Sequence, residues 1–418
     1  MPRQNTVQNE EYRPHIKALN RFAGAVMRLG FRVGELDADS ICDEARRRTG
    51  LTDWGDEEFL GRLDRLVELS KAADITHIAR IILRQTCVQA VANRLKMEHY
   101  LKENPQIILP KIERPIFVLG FPRTGTTLLQ NLLSLEEGRR ALQFWEIISP
   151  VPVCDDPVED RRRRIKISDR MLRMALVMAP EMQAVHEIHS TTAEECWPLF
   201  WPTFAVLSQD LQSGIGEFGD YLMNNDMTHA YRYYKRTLQV LLHQRPATNV
   251  VLKCPEHLWF IDSLLEAFPD ACIVWTHRDP ADSIASYCSL ISLSRRMLFG
   301  RFDPRDVGDH ISKRFLTGVQ RAMKAREGRD PSQFLDIDFA TLVKDPARQI
   351  RQINSYFGLP QSEQTEVAVQ RWLDTKREDS RGSHVYSADR YGLNGPEIHE
   401  KYAEYIDGYS VSLRTAAK

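Results

Sequence analysis

The amino-acid sequence predicts an α/β fold: a three-layer parallel sheet carrying a P-loop-like phosphate loop, preceded by a helical amino-terminal region. Three observations lead there. Residues 115–133 read as strand, glycine loop and helix; from Pro115 onward short apolar runs alternate with helical periodicity; and residues 1–110 contain no convincing strand. The change of pattern sets the boundary, with a helical region over 1–110 and an α/β domain over 111–418.

In the helical region, Asp39 or Ser40 caps a helix through Arg48 that stops at Gly50. Asp56 caps another through Leu69, and Ile75 to Glu103 keeps helical spacing up to the Asn104-Pro105 stop. Such a region serves as a lid, a dimerisation surface or a buttress, and the sequence leaves the three open, a homodimer among them. The basic runs Arg46–Arg48 and Arg161–Arg164 read as solvated helix faces.

Residues 115–133 organise the rest. Ile116 to Leu119 form a buried strand, Gly120 starts a tight turn, and Gly125 opens a helix with Leu128, Leu129, Leu132 and Leu133 at helical spacing. Successive loop amides and the positive helix end suit a diphosphate-like anion, and Thr126 and Thr127 add hydroxyl donors. The spacing from Gly120 to Gly125 matches a Walker loop, but Thr126 stands where that loop requires lysine. Arg123 lies inside the loop instead, and its planar fork suits a group carrying less charge than a triphosphate.

The segment Leu142–Ile148 reads as the next strand, which would bring Glu146 out at the ligand-binding edge of the sheet. Residues 157–179 form an amphipathic helix. In 186–204, His186, Glu187, His189, Glu194 and Glu195 precede an aromatic run from Trp197 to Phe204, which either lines an apolar acceptor pocket or packs a helix. The helix 228–243 carries Tyr231, Tyr233 and Tyr234, residues of the kind that usually fill a core. Strands follow at Asn249–Lys253, Ala271–Thr276 and Phe334–Phe339, separated by helices from His257 to Phe268, after Pro280 and over 305–326. A helix over Pro346–Phe357 and a last one over Glu397–Tyr409 complete the chain.

The string Gly-Phe-Pro-Arg-Thr-Gly-Thr-Thr-Leu-Leu at 120–129 resembles the 5′-phosphosulfate loop of the sulfotransferase family, whose donor is 3′-phosphoadenosine 5′-phosphosulfate (PAPS). The resemblance implies donor contacts from Arg123, Thr124, Gly125, Thr126 and Thr127. It extends to Arg278 and Ser286, eight residues apart, which match the family's 3′-phosphate motif in type and spacing. Leu-Lys-Cys-Pro-Glu-His-Leu at 252–258 is similar to the segment that carries the family's catalytic histidine. Lys253 and His257 are four residues apart where the small-molecule enzymes have two, and His257 becomes the first candidate base. Arg381 and Gly382 sit in a polar loop where the family closes its donor site.

The resemblance implies sulfuryl transfer to a small hydroxyl acceptor, apolar or glycolipid, with Arg123 stabilising the leaving oxygen, His257, Glu146 or Glu195 taking the proton, and no metal required. A P-loop kinase-like phosphotransferase and a catalytically silent nucleotide-binding scaffold are the alternatives.

Composition bounds the partners. Lys plus Arg number 56 against 57 for Asp plus Glu, so no global field draws the chain to nucleic acid. The seven cysteines are odd in number and show no paired ligand spacing, as expected in a reducing compartment. The first residues lack the apolar core of a signal peptide, and no stretch approaches the ~20 apolar residues of a membrane span. The expectation is a cytoplasmic protein without stable membrane insertion.

Overall fold

The computed structural model describes residues 11–182, 188–378 and 387–413. Five strands form one parallel sheet in the order β2-β3-β1-β4-β5: β1 Ile116–Gly120, β2 Arg139–Ala141, β3 Asn249–Lys253, β4 Cys272–His277 and β5 Phe334–Asp338. Every residue of β1, β3 and β4 is buried. Strands covered on both faces have no polar side to alternate with, which is why they read as continuous apolar runs. One face of the sheet packs Phe117, Leu119, Leu252 and Ile273 into the larger core; the other packs Ile116, Val118 and Val274 against Leu129, Leu132 and Ile353.

Adjacent strands β1 and β4 send their next connections to opposite sides of the sheet, β1 towards β2 and β4 towards β5. The crevice at their carboxyl ends is therefore the switch point at which such sheets bind ligands. The helix α5, Thr126–Leu133, starts there directly after the loop.

Before the sheet come α1 Pro14–Arg28, α2 Ala38–Thr49, α3 Glu58–Ala72 and α4 His77–Glu103. The cap of α2 is Asp37, whose carboxylate accepts from Ser40 N at 2.9 Å, and the helix ends at Gly50 in the left-handed conformation. Thr76 caps α4, accepting from Ala79 N at 3.3 Å. The first helix, α1, has no counterpart in the sequence reading. Leu63, Leu66, Cys87 and Val91 belong to the same apolar cluster as Phe117 and Leu252, so these helices share the core of the sheet. Arg94 of α4 is fully buried and tied by Nε to Trp54 O at 2.8 Å and by Nη2 to the Asp56 carboxylate at 2.8 Å.

The segment Leu142–Ile148 departs from expectation. The strand, β2, lies just before it, and Phe144–Ile148 is a helix. Gln143 and Glu146 form a capping box, with the Glu146 carboxylate accepting from Gln143 N at 2.8 Å. A seven-residue apolar run is compatible with either structure; the cap decides it. The helices Pro157–Met178, Thr228–Gln244, Pro304–Arg326 and Pro346–Phe357 fall within two residues of their expected ends. The single helices expected at 257–268 and 397–409 are each two pieces: a 3-10 turn Pro255–Trp259 before Ile261–Ala267, and Gly395–Lys401 before Ala403–Gly408.

Gly120 has φ +141°, and a Cβ there would press on Thr276 Oγ1 and come within 2.8 Å of Thr124 Oγ1. Gly120→Ala is expected to cost at least about 2 kcal/mol, from backbone strain and overpacking together, read as a lowered urea midpoint at unchanged slope.

Candidate active site

The loop from Phe121 to Gly125 is held from below by two threonines. Thr124 Oγ1 lies 2.7 Å from Phe121 O and 2.6 Å from Thr276 Oγ1, which lies 3.1 Å from Leu119 O. Thr124 is completely buried, so its hydroxyl shapes the loop from inside. Gly125 takes the left-handed conformation, φ +85°, with Phe339 and Leu342 packed where a Cβ would stand. Arg123 also has positive φ, +74°, and its side chain is exposed. Backbone strain of this kind is held by the surroundings and concentrates at ligand sites.

Arg278, just past β4, donates through Nη1 to Arg123 O at 2.7 Å, pairs with Asp282 at 3.2 Å and lies 4.5 Å over the Phe339 ring. Ser286, in the helix Pro280–Phe299, receives Arg123 Nε at 3.3 Å. The two segments singled out in the sequence therefore meet: loop arginine, strand-end arginine and helix serine form one cluster at the switch point. Thr126 is buried at the start of α5, and Thr127 beside it is exposed.

Lys253 is the residue that sequence reasoning undervalued. It ends β3 opposite Val118 of β1, is 1% exposed, and places Nζ 3.3 Å from Thr127 Oγ1 and 2.9 Å from Glu195 Oε1. Burial alone would lower the ammonium's pKa; the carboxylates of Glu195 and Glu194 outweigh it and hold Lys253 above the ordinary lysine value. The signal was present in the sequence as a lone cation ending a buried strand next to the strand of the loop. Glu195 is partly exposed, and its neighbour Cys196 donates its N–H to Lys253 O at 3.0 Å, locking the two segments together.

The other two candidate bases stand apart from this cluster. His257 is 0% exposed, with Nδ1 2.8 Å from Tyr231 Oη and Nε2 3.4 Å from Cys196 Sγ. Both ring nitrogens are engaged inside an aromatic cage of Phe117, Phe200 and Tyr234. Glu146 is 1% exposed, bound by Arg140 at 2.8 Å and Arg245 at 3.1 Å besides its capping bond. Its position in the first turn of a helix, instead of at a strand end, removes the geometric reason for placing it at the ligand. Arg381, Gly382, His186 and Glu187 lie outside the described residues.

Cys196, Cys254 and His257 bring three ligand-type atoms within 4.8 Å of one another, all buried, and Cys196 and Cys254 follow Glu195 and Lys253 in the chain. In the aromatic run, Phe200 and Phe204 are core residues, while Trp197 and Trp201 are partly exposed; Tyr231, Tyr233 and Tyr234 are buried, as core. A cavity of about 870 Å³ opens elsewhere, lined by Arg295, Asp303 and His310 among others and by no residue of the loop.

A family model described as the sulfotransferase family matches residues 115–363, the span that contains β1, the loop, Lys253, Arg278 and Ser286. The chain belongs to the sulfotransferase family. Among curated proteins, this sulfotransferase is 23% identical over 314 residues to the omega-hydroxy-beta-dihydromenaquinone-9 sulfotransferase Stf3 of Mycobacterium tuberculosis, covering 72% of this chain and 76% of that one. Among solved structures, the sulfotransferase STF9 from Mycobacterium avium superposes with a TM-score of 0.80 at 27% identity, over 90% of this chain and 97% of that one. STF1 from Mycobacterium tuberculosis H37Rv gives 0.77 at 27% identity, over 87% and 98%. At these coverages the similarity extends past the sheet into the amino-terminal helical region. No helix among the described residues is long and apolar enough to cross a membrane.

Below the site, Glu256 is fully buried and accepts from Leu207 N and Ser208 N at 2.8 Å each. Burial pushes its carboxyl up to about 7, against the pull of those donors. A glutamine satisfies only one of the two amides, so Glu256→Gln is expected to lose about 1–3 kcal/mol at pH near 5. The raised folded value makes the wild-type contribution full below the unfolded value of about 4.3 and lost as pH rises through about 7. The gap between wild type and variant should therefore narrow between pH 5 and about 8, measured by urea unfolding.

Proposed function

We propose that the protein transfers a sulfuryl group from PAPS to the hydroxyl of an apolar acceptor. The observation that carries this reading is the convergence of three cations, Arg123, Arg278 and the buried Lys253, on one phosphate loop at the sheet's switch point. Arg278 and Ser286 suit the 3′-phosphate, which distinguishes this donor from ordinary nucleotides. The loop amides with Thr126 and Thr127 suit the 5′-phosphosulfate. The curated relative Stf3 is named for a hydroxylated menaquinone, which supports a lipid-like acceptor for this chain.

In the proposed reaction the acceptor oxygen attacks sulfur in line, the bond from sulfur to the bridging oxygen breaks, and negative charge grows on the departing 5′-phosphate. Catalysis then rests on position and fixed charge. Lys253 Nζ, already beside Thr127 Oγ1, meets that charge, while Arg123 is turned to Ser286. Glu195, the third candidate in the sequence, takes first place as base: it is partly exposed and its carboxylate reaches the Lys253 ammonium at 2.9 Å. The scheme uses no divalent cation, so turnover is expected to persist in excess chelator.

Titration calorimetry without metal tests the donor. 3′-Phosphoadenosine 5′-phosphate should bind well ahead of ATP and AMP, and Arg278→Ala should lose roughly 1.5–3 kcal/mol of that affinity. Equal affinity for AMP and the bisphosphate would sink the reading. Lys253→Met should lower kcat about 10²–10³-fold.

Glu195→Gln should lower kcat roughly 10²–10⁴-fold while leaving bisphosphate affinity near neutral pH within a few-fold. Removing the Glu195 carboxylate takes away the larger of the two charges that offset the burial of Lys253 and leaves Glu194 alone against it. The pH above which bisphosphate affinity falls should then move downward in the variant, whereas the wild type holds to at least the ordinary lysine value of about 10.4.

A further inference from the structure

Ten of the eighteen large apolar side chains exposed among the described residues lie on just two segments, residues 19–33 and the helix Pro157–Met178. That concentration makes a patch, where scattered surface apolars would need no explanation. On α1 the exposed residues Leu19 and Phe22 fall at helical spacing along one stripe, continued past the helix end by Leu29, Phe31 and Val33. On the second helix Ile167, Met171, Met174 and Val177 do the same. The two elements touch: Met178 packs on the Tyr12, Ile16 and Ala23 cluster, and Arg13 pairs with Glu181 at 2.7 Å.

Charge follows the same two segments. Between Tyr12 and Gly34 there are five Lys or Arg and no acidic residue; Pro157–Met178 holds seven against three carboxylates, in a chain whose formal net charge is −1. The carboxylates present are engaged locally, Glu159 with Arg162 and Arg163, Asp160 with Arg164, and Asp169 with Ser190. Arg21, Arg28, Lys166, Arg170 and Arg173 are exposed beside the apolar stripes.

We propose that this face docks the protein on an anionic lipid bilayer. Apolar stripes at helical spacing flanked by arginine and lysine are the signature of helices that lie in the headgroup region, gaining from apolar burial and from attraction to anionic lipid. A polyanion in water, such as nucleic acid, would satisfy the cations and leave Phe22, Leu29 and Met174 wet. A second copy of the same face would bury the apolar stripes but oppose like charges. A membrane surface satisfies both. The inference does not rest on the acceptor proposed above, since it concerns a surface outside the catalytic cluster.

Vesicle flotation of the full chain tests it. The protein should float with vesicles of equal phosphatidylglycerol and phosphatidylcholine, stay soluble with phosphatidylcholine alone, and be released at about 1 M salt. Each cation near the surface is worth about fivefold in partition, so the charge reversal Arg170→Glu with Arg173→Glu should lower binding at least tenfold. Phe22→Asp with Met174→Asp should lower it comparably. Both double variants should keep wild-type affinity for 3′-phosphoadenosine 5′-phosphate, which reports that they fold. Failure of the wild type to float, or equal flotation of wild type and both variants, overturns the proposal. A wild-type dimer in sedimentation equilibrium that dissociates in the Phe22→Asp, Met174→Asp variant also overturns it, assigning the face to a second copy.

Discussion

The constraint on which the site depends is the burial of one ammonium group. Lys253 ends β3 at 1% exposure, and an unpaired charge there would cost several kcal/mol. The structure meets that cost with Glu195 at 2.9 Å, with Glu194 nearby, and with a hydroxyl of the loop helix at 3.3 Å. Pairing is thus what keeps a full positive charge beside the loop. The same requirement pins the segment after residue 190 to β3, through Cys196 N–H to Lys253 O, and fixes the packing beneath it. The Cys196 thiol also lies 3.4 Å from His257 Nε2, which ties the pinned segment to the buried turn after β3.

Much of the fold was legible because the sequence signals were redundant. Ile116–Gly120 combines a continuous apolar run with a glycine that only a turn would need, and Gly120 turns out to face Thr276 with no room for a Cβ. Arg278 and Ser286 were legible as a pair because a strand end and the helix that follows it must fold back on each other, which brings both to Arg123. What failed was side-chain direction. His257 follows Lys253 by four residues in sequence, yet the 3-10 turn Pro255–Trp259 sends it into the core while Lys253 points to the loop. Glu146 failed for a different reason: a short apolar run does not reveal its own secondary structure, and the capping box that settles it uses the very carboxylate proposed for chemistry.

The helical amino-terminal region illustrates a further limit. Its stops at Gly50 and Asn104 were readable, but Asp37 caps α2 where Asp39 or Ser40 was expected, α3 starts after Glu57 without a side-chain cap instead of at Asp56, and the region's relation to the sheet rests on apolar contacts between residues far apart in sequence. A shared apolar cluster running from Leu63 through Cys87 to Phe117 makes these helices part of the support of β1, which argues for a buttress over a hinged lid. The α1 helix was missed although Leu19 and Phe22 keep helical spacing, because its start carries no side-chain cap: Arg13 stands at the position where Ser, Thr, Asp or Asn would mark it.

The loop's departure from the Walker pattern redistributes its positive charge. A Walker lysine rises from the helix start and reaches over the β- and γ-phosphates; here Thr126 occupies that position and is buried. On the proposed reading its charge arrives instead from the neighbouring strand, since Lys253 Nζ sits at Thr127, one residue on. A lysine on a strand, buried and ion-paired, has far less freedom than one on a flexible loop, so its charge is preorganised and costs little reorganisation when the leaving oxygen develops. Arg123 is then released from the role of leaving-group cation and lies towards Ser286, while its carbonyl receives Arg278. On that reading the two arginines and the lysine divide the work: the arginines' planar forks suit a phosphate that stays bound throughout, and the lysine's compact charge suits an oxygen whose charge changes during the reaction.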